Sequence, residues 1–346
     1  MSQAEDSASP YYGRVRVSVI IPTFNGLVRL ERALDSLRLQ TALPDEIIVV
    51  DNASSDNTVM ALADDYPEVT VIANTENLGF GRAVNRGFDV ATGDVLVLLN
   101  NDVVCEAAFL DEIIKPLDAA AVGMVAGVLL QEADPTMIDT AGLVLDRTMR
   151  SWDYLSDRAV SELHAGVTPP PLGPCGGAAA YRTEAIRSVG GFDEALFAYW
   201  EDVDLTIRLQ NAGWRCALAT DARVVHAHGA TLGATSPRMR ELDAFGRGFV
   251  LGKYGVARRG VGTALATAAL DWPVFLVHLA ARREATPLRA RHRGVVAGKA
   301  RRTSTKPWSA EVSVASGLKS QWGATFNRLR GRGPAHFRAK PDEPRS

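Results

Sequence analysis

The chain of 346 residues is poor in cysteine and lacks the glycine-rich loops that cradle nucleotide phosphates. Cys105, Cys175 and Cys216 are far apart, which argues against a disulfide framework or a zinc ribbon and fits a reducing, cytoplasmic setting. No GxxxxGK(S/T) sequence occurs, and the first apolar run is followed by Pro-Thr-Phe-Asn-Gly at 22–26 instead of GxGxxG. A P-loop enzyme and a nicotinamide-dependent dehydrogenase are therefore excluded.

An apolar run suited to crossing a membrane is also missing. Residues 261–281 are long enough for a span, but Asp271, Pro273 and His278 interrupt them. We expect an interfacial or packed helix here. The first fifteen residues hold two acids and no apolar core, so no secretory signal is expected.

Charge is distributed unevenly along the chain. Residues 282–346 carry 16 Lys and Arg against four Asp and Glu, whereas the rest of the chain is net acidic. A basic segment favours an anionic partner, either nucleic acid or an anionic membrane surface. Residues 282–302 contain no interleaved aromatic residues, so we expect the membrane surface and no nucleic acid.

Apolar runs alternate with helical periodicity through the first hundred residues. Such alternation predicts parallel βαβ units, with ligands beyond the carboxyl ends of the strands. The runs predicted as strands are 15–21, 46–50, 69–73, 94–99, 122–130, 215–218 and 222–225, and the predicted helices are 27–40, 54–66, 81–91, 184–189 and 202–212. Between these, residues 175–182 consist mostly of small residues and predict a close approach of the backbone to a ligand.

Polar residues follow three of the predicted strands. Asn and Asp are ordinary turn residues, so each position alone has a purely structural interpretation. Three such ends at one sheet edge favour a binding site. The residues at these ends are Thr23, Asn25, Asp51, Asn52, Asn100, Asn101 and Asp102.

A group of acids and two histidines complete the candidate chemistry. Glu201, Asp202 and Asp204 open a predicted helix, where acids also stabilise the helix dipole. A carboxylate fixed there could equally accept a proton from an attacking hydroxyl. His226 and His228 end the last strand, where a metal or phosphate role is plausible but not specific.

Five segments, in this order, resemble the family-2 glycosyltransferases of the GT-A fold. They are residues 17–26, 48–58, 77–87, 98–102 and 191–205. Within the family, the chain looks most like bacterial rhamnosyltransferase-type enzymes of cell-wall and surface-polysaccharide assembly. The resemblance implies an α/β fold: a Rossmann-like, mostly parallel sheet flanked by helices, with a helical C-terminal extension.

The resemblance also implies roles for single residues. Asp202 matches the catalytic base, with Glu201 beside it, and Asp51 would accept a hydrogen bond from a pyrimidine base. Asp102 matches the last acid of the DxD motif, and it would hold Mg²⁺ or Mn²⁺ with His226, or with His228 in its place. The residues expected to line the nucleotide-sugar site are Pro22, Thr23, Asn25, Asp51, Asn77, Gly79, Arg82, Asn100 and Asn101.

The function implied is an inverting, metal-dependent transfer of a sugar, with rhamnose as a candidate. The donor would be dTDP- or UDP-linked, and the acceptor lipid-linked or a polysaccharide. A non-catalytic sugar-nucleotide-binding or scaffold protein and a nucleotidyltransferase remain as alternatives. Intact Asp51, Asp102 and Asp202 argue against the first alternative. The lack of a glycine-rich basic loop after the first strand argues against the second.

The domain organisation expected has three parts. Residues 1–14 form a flexible N-terminus, residues 15–256 the GT-A domain, and residues 257–346 a basic, partly helical extension. The enzyme is expected to be cytoplasmic and peripheral at the inner face of the cell membrane, bound through its basic tail.

Overall fold

The computed structural model describes residues 14–227, 236–255, 260–282 and 285–303. His228 and most of the basic C-terminal segment therefore lie outside the described residues. The strands are β1 Val17–Thr23, β2 Glu46–Asp51, β3 Val69–Ala73, β4 Val95–Leu99, β5 Val103–Cys105, β6 Val122–Gln131, β7 Asp134–Thr140, β8 Leu143–Leu145, β9 Ser151–Asp153, β10 Ala178–Arg182 and β11 Arg215–His226. The helices are α1 Leu27–Arg38, α2 Thr58–Asp65, α3 Phe80–Val90, α4 Phe109–Ile114, α5 Thr183–Val189, α6 Glu201–Asn211, α7 Pro237–Tyr254, α8 Val261–Arg282 and α9 Thr286–Ala300.

One large sheet organises these elements, in the order β3-β2-β1-β4-β10-β6-β11-β5, with β7 on β6. The first four strands of this order are parallel, as the βαβ alternation predicts. β10 runs antiparallel between β4 and β6, and β5 runs antiparallel along β11. The result is a mixed α/β sheet whose parallel half follows the sequence prediction.

The central strands are buried on both faces, which explains their unbroken apolar runs. On one face, Val19 and Val49 pack with Leu34 of α1. On the other face, Ile20 packs with Val84 of α3. Two apolar layers thus clamp the sheet and fix the register that brings the strand ends to one edge.

Residues 178–182 form a strand that the sequence does not predict. The small residues here form β10, whose alanines are fully buried between β4 and β6. Alanine has low strand propensity, so the strand is dictated by its neighbours. The predicted strands 215–218 and 222–225 are likewise one strand, β11, with an irregular register between Leu218 and Arg223.

Two C-terminal helices, α7 and α9, pack with their backbones in close contact. A Cβ atom on Gly252 would fall on the carbonyl oxygen of Val295, and one on Gly294 would fall on that of Phe245. These glycines replace the side-chain layer that normally separates packed helices. Residues 286–300 are therefore part of the folded body.

Asp271 connects α8 to the same body. Its carboxylate forms ion pairs with Arg150 at 3.2 Å, with Arg247 at 3.6 Å and with Arg291. This buried acid is one of the residues that interrupt the apolar run 261–281. Among the described helices, none has both the length and the apolar character that a membrane span requires.

We predict that Gly252→Ala destabilises the protein by about 1–3 kcal/mol, because the new methyl group pushes α9 away from α7. Gly262→Ala in α8 is the matched control, since a Cβ there meets nothing within 4 Å. The control gains helix propensity and should be neutral or stabilising. Thermal or urea denaturation measures both variants. Equal stabilisation by the two changes would refute the packing described for α7 and α9.

Candidate active site

The ends of β1 and β4 are joined directly. The side-chain amide of Asn101 donates a hydrogen bond to Thr23 Oγ1 at 2.9 Å, and both residues are buried. Pro22 lies within β1, where β4 no longer pairs with this strand, so its missing N–H costs no ladder hydrogen bond. Thr23 pairs with Asp51 at the end of β2.

Asp51 is almost fully buried, yet only one of its carboxylate oxygens has a partner. Oδ2 accepts a hydrogen bond from the Ser54 backbone N–H at 3.0 Å. Oδ1 has no hydrogen-bond partner. Asn25 closes this corner, because its Oδ1 accepts the Ser55 N–H at 2.7 Å and thereby joins the β1 loop to the β2 loop.

The N-terminus of α3 forms the next wall of the site. Asn77 Oδ1 accepts the Gly79 N–H at 2.9 Å, and Gly79 has a positive φ of 84°. A Cβ on Gly79 would collide with the Phe197 carbonyl, so only glycine fits at this contact. Arg82 lies one turn further and pairs with Glu194 at 3.2 Å, half exposed. The predicted nucleotide-side residues are thus brought to one edge.

Asp102 and His226 form the centre of the site. His226 Nε2 lies 3.4 Å from Asp102 Oδ1, and His226 Nδ1 lies 2.7 Å from Asp139 Oδ2. The short strand β5 explains the first contact: it pairs His226 with Val103, and the Ala227 N–H donates to the Asp102 carbonyl at 3.0 Å. Sequence analysis missed both β5 and Asp139.

The two carboxylates change the protonation of the imidazole. Burial alone lowers the pKa of His226, but hydrogen bonds and charge from Asp102 and Asp139 outweigh it and raise the pKa to about 9. In the protein alone, His226 is therefore a cation that compensates two buried acids. A divalent cation at this position would replace that proton.

Chemically, the donor set fits a divalent cation. Asp102 Oδ1 is buried and has no hydrogen bond of ordinary geometry. Adjacent ligands of a six-coordinate Mg²⁺ at about 2.1 Å lie about 3 Å apart, close to the separation of Asp102 Oδ1 and His226 Nε2. Among the described residues, no three acidic, histidine or cysteine side chains could hold a metal by themselves. Substrate phosphates and water would have to supply the remaining ligands.

An open cleft adjoins Asp102 and gives access to it. It is lined by Arg29, Arg32, Asp102, Val104, Glu132, Val225 and Ala227.

Glu201 and Asp202 begin α6 directly after two strained residues. Tyr199 and Trp200 both have positive φ, at 66° and 75°, which is uncommon for aromatic residues. α7 holds this conformation: the Trp200 indole donates to Asp243 Oδ1 at 2.8 Å, and a Cβ on Gly246 would strike its ring. The strain fixes the direction in which the two acids leave the backbone.

The surroundings of these two neighbouring acids shift their pKa values for different reasons. Burial, reinforced by the negative charge of Asp202, raises the pKa of Glu201 to about 8. Burial also raises the pKa of Asp202, but N–H groups of Val203 and Gly176 hydrogen-bond to its carboxylate and oppose the rise. The pair therefore resists carrying two negative charges, and the two N–H groups favour ionisation at Asp202 over Glu201.

Buried carboxylate oxygens without a hydrogen-bond partner mark the site. In the part of the chain that the structure describes, they belong to Asp51, Asp102 and Glu201. Asp204, one turn into α6, contrasts with them: its oxygens contact Lys253 at 2.7 Å and Arg208 at 2.8 Å. A buried oxygen without a hydrogen bond is costly, so its persistence at Asp51 and Glu201 indicates a missing ligand. Asp102 Oδ1 has only the ion pair with His226 at 3.4 Å. Asp204 is structural.

Asp202 and Asn100 are hydrogen-bonded to adjacent residues of the loop that precedes β10. The Asn100 N–H donates to the Gly177 carbonyl at 3.1 Å, and the neighbouring Gly176 N–H reaches Asp202. The ends of β1, β2 and β4, the start of α6 and the end of β11 are therefore parts of one site.

The chain matches two family profiles and is similar to bacterial rhamnosyltransferases. The profile of Glycosyl transferase family 2 matches residues 18–190, and that of Glycosyl transferase family group 2 matches residues 127–277. The N-acetylglucosaminyl-diphospho-decaprenol L-rhamnosyltransferase of Mycobacterium tuberculosis is 31% identical over 60% of this chain and 75% of its own. The O-antigen chain rhamnosyltransferase RfbN of Salmonella typhimurium is 25% identical over 63% of this chain and 68% of its own.

Solved structures share the fold. The mannosyltransferase PcManGT of Pyrobaculum calidifontis, in complex with GDP-Man and Mn²⁺, aligns over 96% of this chain and 87% of its own, with a TM-score of 0.53 and 22% identity. GalNAc-T7 with UDP, GalNAc and Mn²⁺ aligns over 70% and 49%, with a TM-score of 0.58 and 18% identity. Both likenesses establish a GT-A fold.

The fold is thus that of the GT-A glycosyltransferases, as the sequence predicts. The chain belongs to glycosyltransferase family 2. It is a glycosyltransferase that is similar to the two bacterial rhamnosyltransferases named above.

Glu201 provides a test of the site's electrostatics. Its folded-state pKa of about 8 exceeds the ordinary 4.5, so its contribution to stability is complete below about pH 4.5 and is lost as the pH rises through about 8. We therefore predict that wild type loses melting temperature relative to Glu201→Gln between about pH 5 and about pH 9, by at least roughly 2 °C. Calorimetric melting curves measure this difference.

Glu76→Gln is the control, because it removes the same charge from an exposed side chain. Melting temperatures of wild type and Glu201→Gln that change in parallel with pH would contradict the buried, protonated state of Glu201.

Proposed function

We propose that this glycosyltransferase moves a sugar, L-rhamnose first among the candidates, from a dTDP- or UDP-linked donor to a lipid-linked or polysaccharide acceptor, with inversion at the anomeric carbon. The observation that carries the proposal is a set of buried carboxylate oxygens: those of Asp51 and Glu201 have no hydrogen bond, and that of Asp102 faces only His226, at 3.4 Å. These residues lie where a nucleotide base, a cation and an acceptor would each be needed.

Asp51 has the proposed role of binding the nucleotide base. Its Oδ1 is buried and can only accept, so it favours a base that presents an N–H. Uracil and thymine, the bases of the proposed donors, both present such an N–H group at N3. Thr23 and Asn25, with Asn77, Gly79 and Arg82 on the facing wall, would enclose the nucleoside and its diphosphate.

Asp102 and His226 have the proposed role of holding the cation that binds the diphosphate. A Mg²⁺ or Mn²⁺ held by these two residues would neutralise the charge that develops on the leaving nucleoside diphosphate. Asn100 replaces the first acid of the usual DxD pair, so Asp102 is the one carboxylate of that motif available to the cation. Asn101 braces the strand end through Thr23.

Asp202 and Glu201, at the start of α6, have the proposed role of carrying out the chemical step. Asp202 accepts the proton of the acceptor hydroxyl, and the acceptor oxygen attacks the anomeric carbon as the bond to the diphosphate oxygen breaks. Burial raises the pKa of Asp202, which improves it as a base near neutral pH. Protonated Glu201 keeps the pair at a single negative charge and can donate a hydrogen bond to the acceptor. A single displacement at the anomeric carbon, with one catalytic base, inverts the configuration of that carbon.

The acceptor is inferred from the relatives. The mycobacterial rhamnosyltransferase is named for a sugar linked through diphosphate to decaprenol, and a lipid of this class would place the acceptor at a membrane. On α9, Leu288 and Val296 are exposed beside the exposed basic residues Arg289 and Lys299. We therefore assign α9 and the basic segment after it to peripheral contact with anionic lipid at the cytoplasmic face.

A pair of variants separates catalysis from donor binding. Asp202→Asn should lower transfer by about 10²–10⁴-fold while leaving the donor Kd within about threefold. Asp102→Asn should instead abolish the gain in nucleoside-diphosphate affinity that Mn²⁺ confers. Transfer of radiolabelled rhamnose to a polyprenyl-diphosphate-linked N-acetylglucosamine measures the first effect, and calorimetry with dTDP measures the second.

Asp204→Asn is the control on the same helix, because it should reduce thermal stability without a matching loss of turnover in the folded protein. A loss of donor affinity in Asp202→Asn equal to its loss of transfer would make Asp202 a binding residue. The proposed base would then be wrong.

Membrane contact is tested by charge reversal, because truncation before α9 would expose the glycine face of α7. The double variant Arg289→Glu and Lys299→Glu should bind vesicles containing phosphatidylglycerol at least about tenfold more weakly than wild type. Arg147→Glu with Arg187→Glu makes the same charge change at exposed positions outside α9 and should bind normally. Equal binding by all three proteins in a sedimentation assay would exclude α9 as the contact surface.

A further inference from the structure

We propose that Asp139 is a positioning residue for the cation site, where it orients His226 so that Nε2 faces the cation beside Asp102. The inference rests on the proposed function, since it takes Asp102 and His226 as the cation's protein ligands. None of the five family-like segments contains Asp139, which lies on β7, between the fourth segment (residues 98–102) and the fifth (residues 191–205).

The contact between the two side chains is direct and shielded. Asp139 Oδ2 lies 2.7 Å from His226 Nδ1, and the side chains are 15% and 10% exposed. An ionised carboxylate can only accept, so Nδ1 carries the proton in this pair. A neutral His226 is then left with its lone pair on Nε2, the nitrogen that faces Asp102.

The sheet explains how two distant parts of the chain meet here. His226 ends β11, which pairs with one side of β6, while Asp139 lies on β7, which pairs with the other side. The β6–β7 register shifts on both sides of Leu130. Leu130 pairs with Ile138, while its neighbour Leu129 pairs with Thr140. Irregular pairing of this kind re-aims side chains and often occurs next to active sites.

Loss of the carboxylate would release the imidazole. Without Asp139, a neutral His226 can place its proton on Nε2 and donate toward Asp102, and this state competes with the cation for both ligands. Carboxylates that orient metal-binding histidines are typically worth 10–100-fold in metal affinity. Asp139 should therefore act through His226 without touching the cation.

The test compares calorimetric affinities of the full-length protein for UDP in Mn²⁺ and in EDTA. The ratio of the two affinities is the gain that the cation provides. We expect Asp139→Ala to reduce this ratio about 10–100-fold with the affinity in EDTA unchanged. Asp139→Asn keeps the shape of the side chain and an acceptor oxygen, so it should reduce the ratio less. Asp134→Asn, an exposed acid on the same strand, should leave the ratio unchanged.

A spectroscopic readout distinguishes positioning from a general loss of structure. In ¹⁵N-histidine spectra with Mg²⁺ and UDP, His226 should show the Nδ1–H tautomer in wild type and lose this preference in Asp139→Ala. A wild-type cation gain in Asp139→Ala would overturn the role of Asp139 alone. If wild type itself showed no gain with Mn²⁺, the assignment of Asp102 and His226 as cation ligands would fall, and the inference with it.

Discussion

Buried negative charge at the carboxyl edge of one sheet is the constraint on which this structure depends. Asp51, Asp102, Asp139, Glu201 and Asp202 are withdrawn from water within this site, and an uncompensated buried carboxylate is costly. The protein offsets the cost with one imidazolium, a proton kept on Glu201 and backbone N–H groups. The remaining attraction for positive charge and for hydrogen-bond donors is available to substrate.

Buried acids elsewhere in the fold are paired with lysine or arginine side chains. Asp193 and Asp204 share Lys253, and Asp271 is surrounded by arginines, so these carboxylates stabilise the packing of α7, α8 and α9. Pairing by fixed protein cations leaves nothing for a ligand to contribute. The structural acids are thus paired with lysine or arginine, whereas Asp102 and Asp139 of the site share His226, whose proton a cation could replace, and one oxygen of Asp51 has no hydrogen bond. α7 also braces the start of α6, since it supports both Trp200 and Asp204.

Much of this arrangement could be predicted from the sequence. The βαβ alternation predicts β1 to β4, and parallel strands necessarily bring Thr23, Asp51 and Asn101 to one edge. β5 was missed because three residues after a turn carry no periodic signal. β10 was missed because alanine has low strand propensity, and only the buried slot between β4 and β6 makes Ala178–Arg182 extended. Asp139 could not be found from local pattern, since its partner is 87 residues away.

The central claim is that pairing of β5 with β11 creates a cation site from Asp102 and His226. Anomalous diffraction from crystals of the protein with Mn²⁺ and dTDP tests it most directly. The account predicts one manganese peak at coordination distance, about 2.1–2.3 Å, from both Asp102 Oδ1 and His226 Nε2, with Asp139 still on Nδ1. A manganese ion bound elsewhere, with His226 still bridging Asp102 and Asp139, would contradict it.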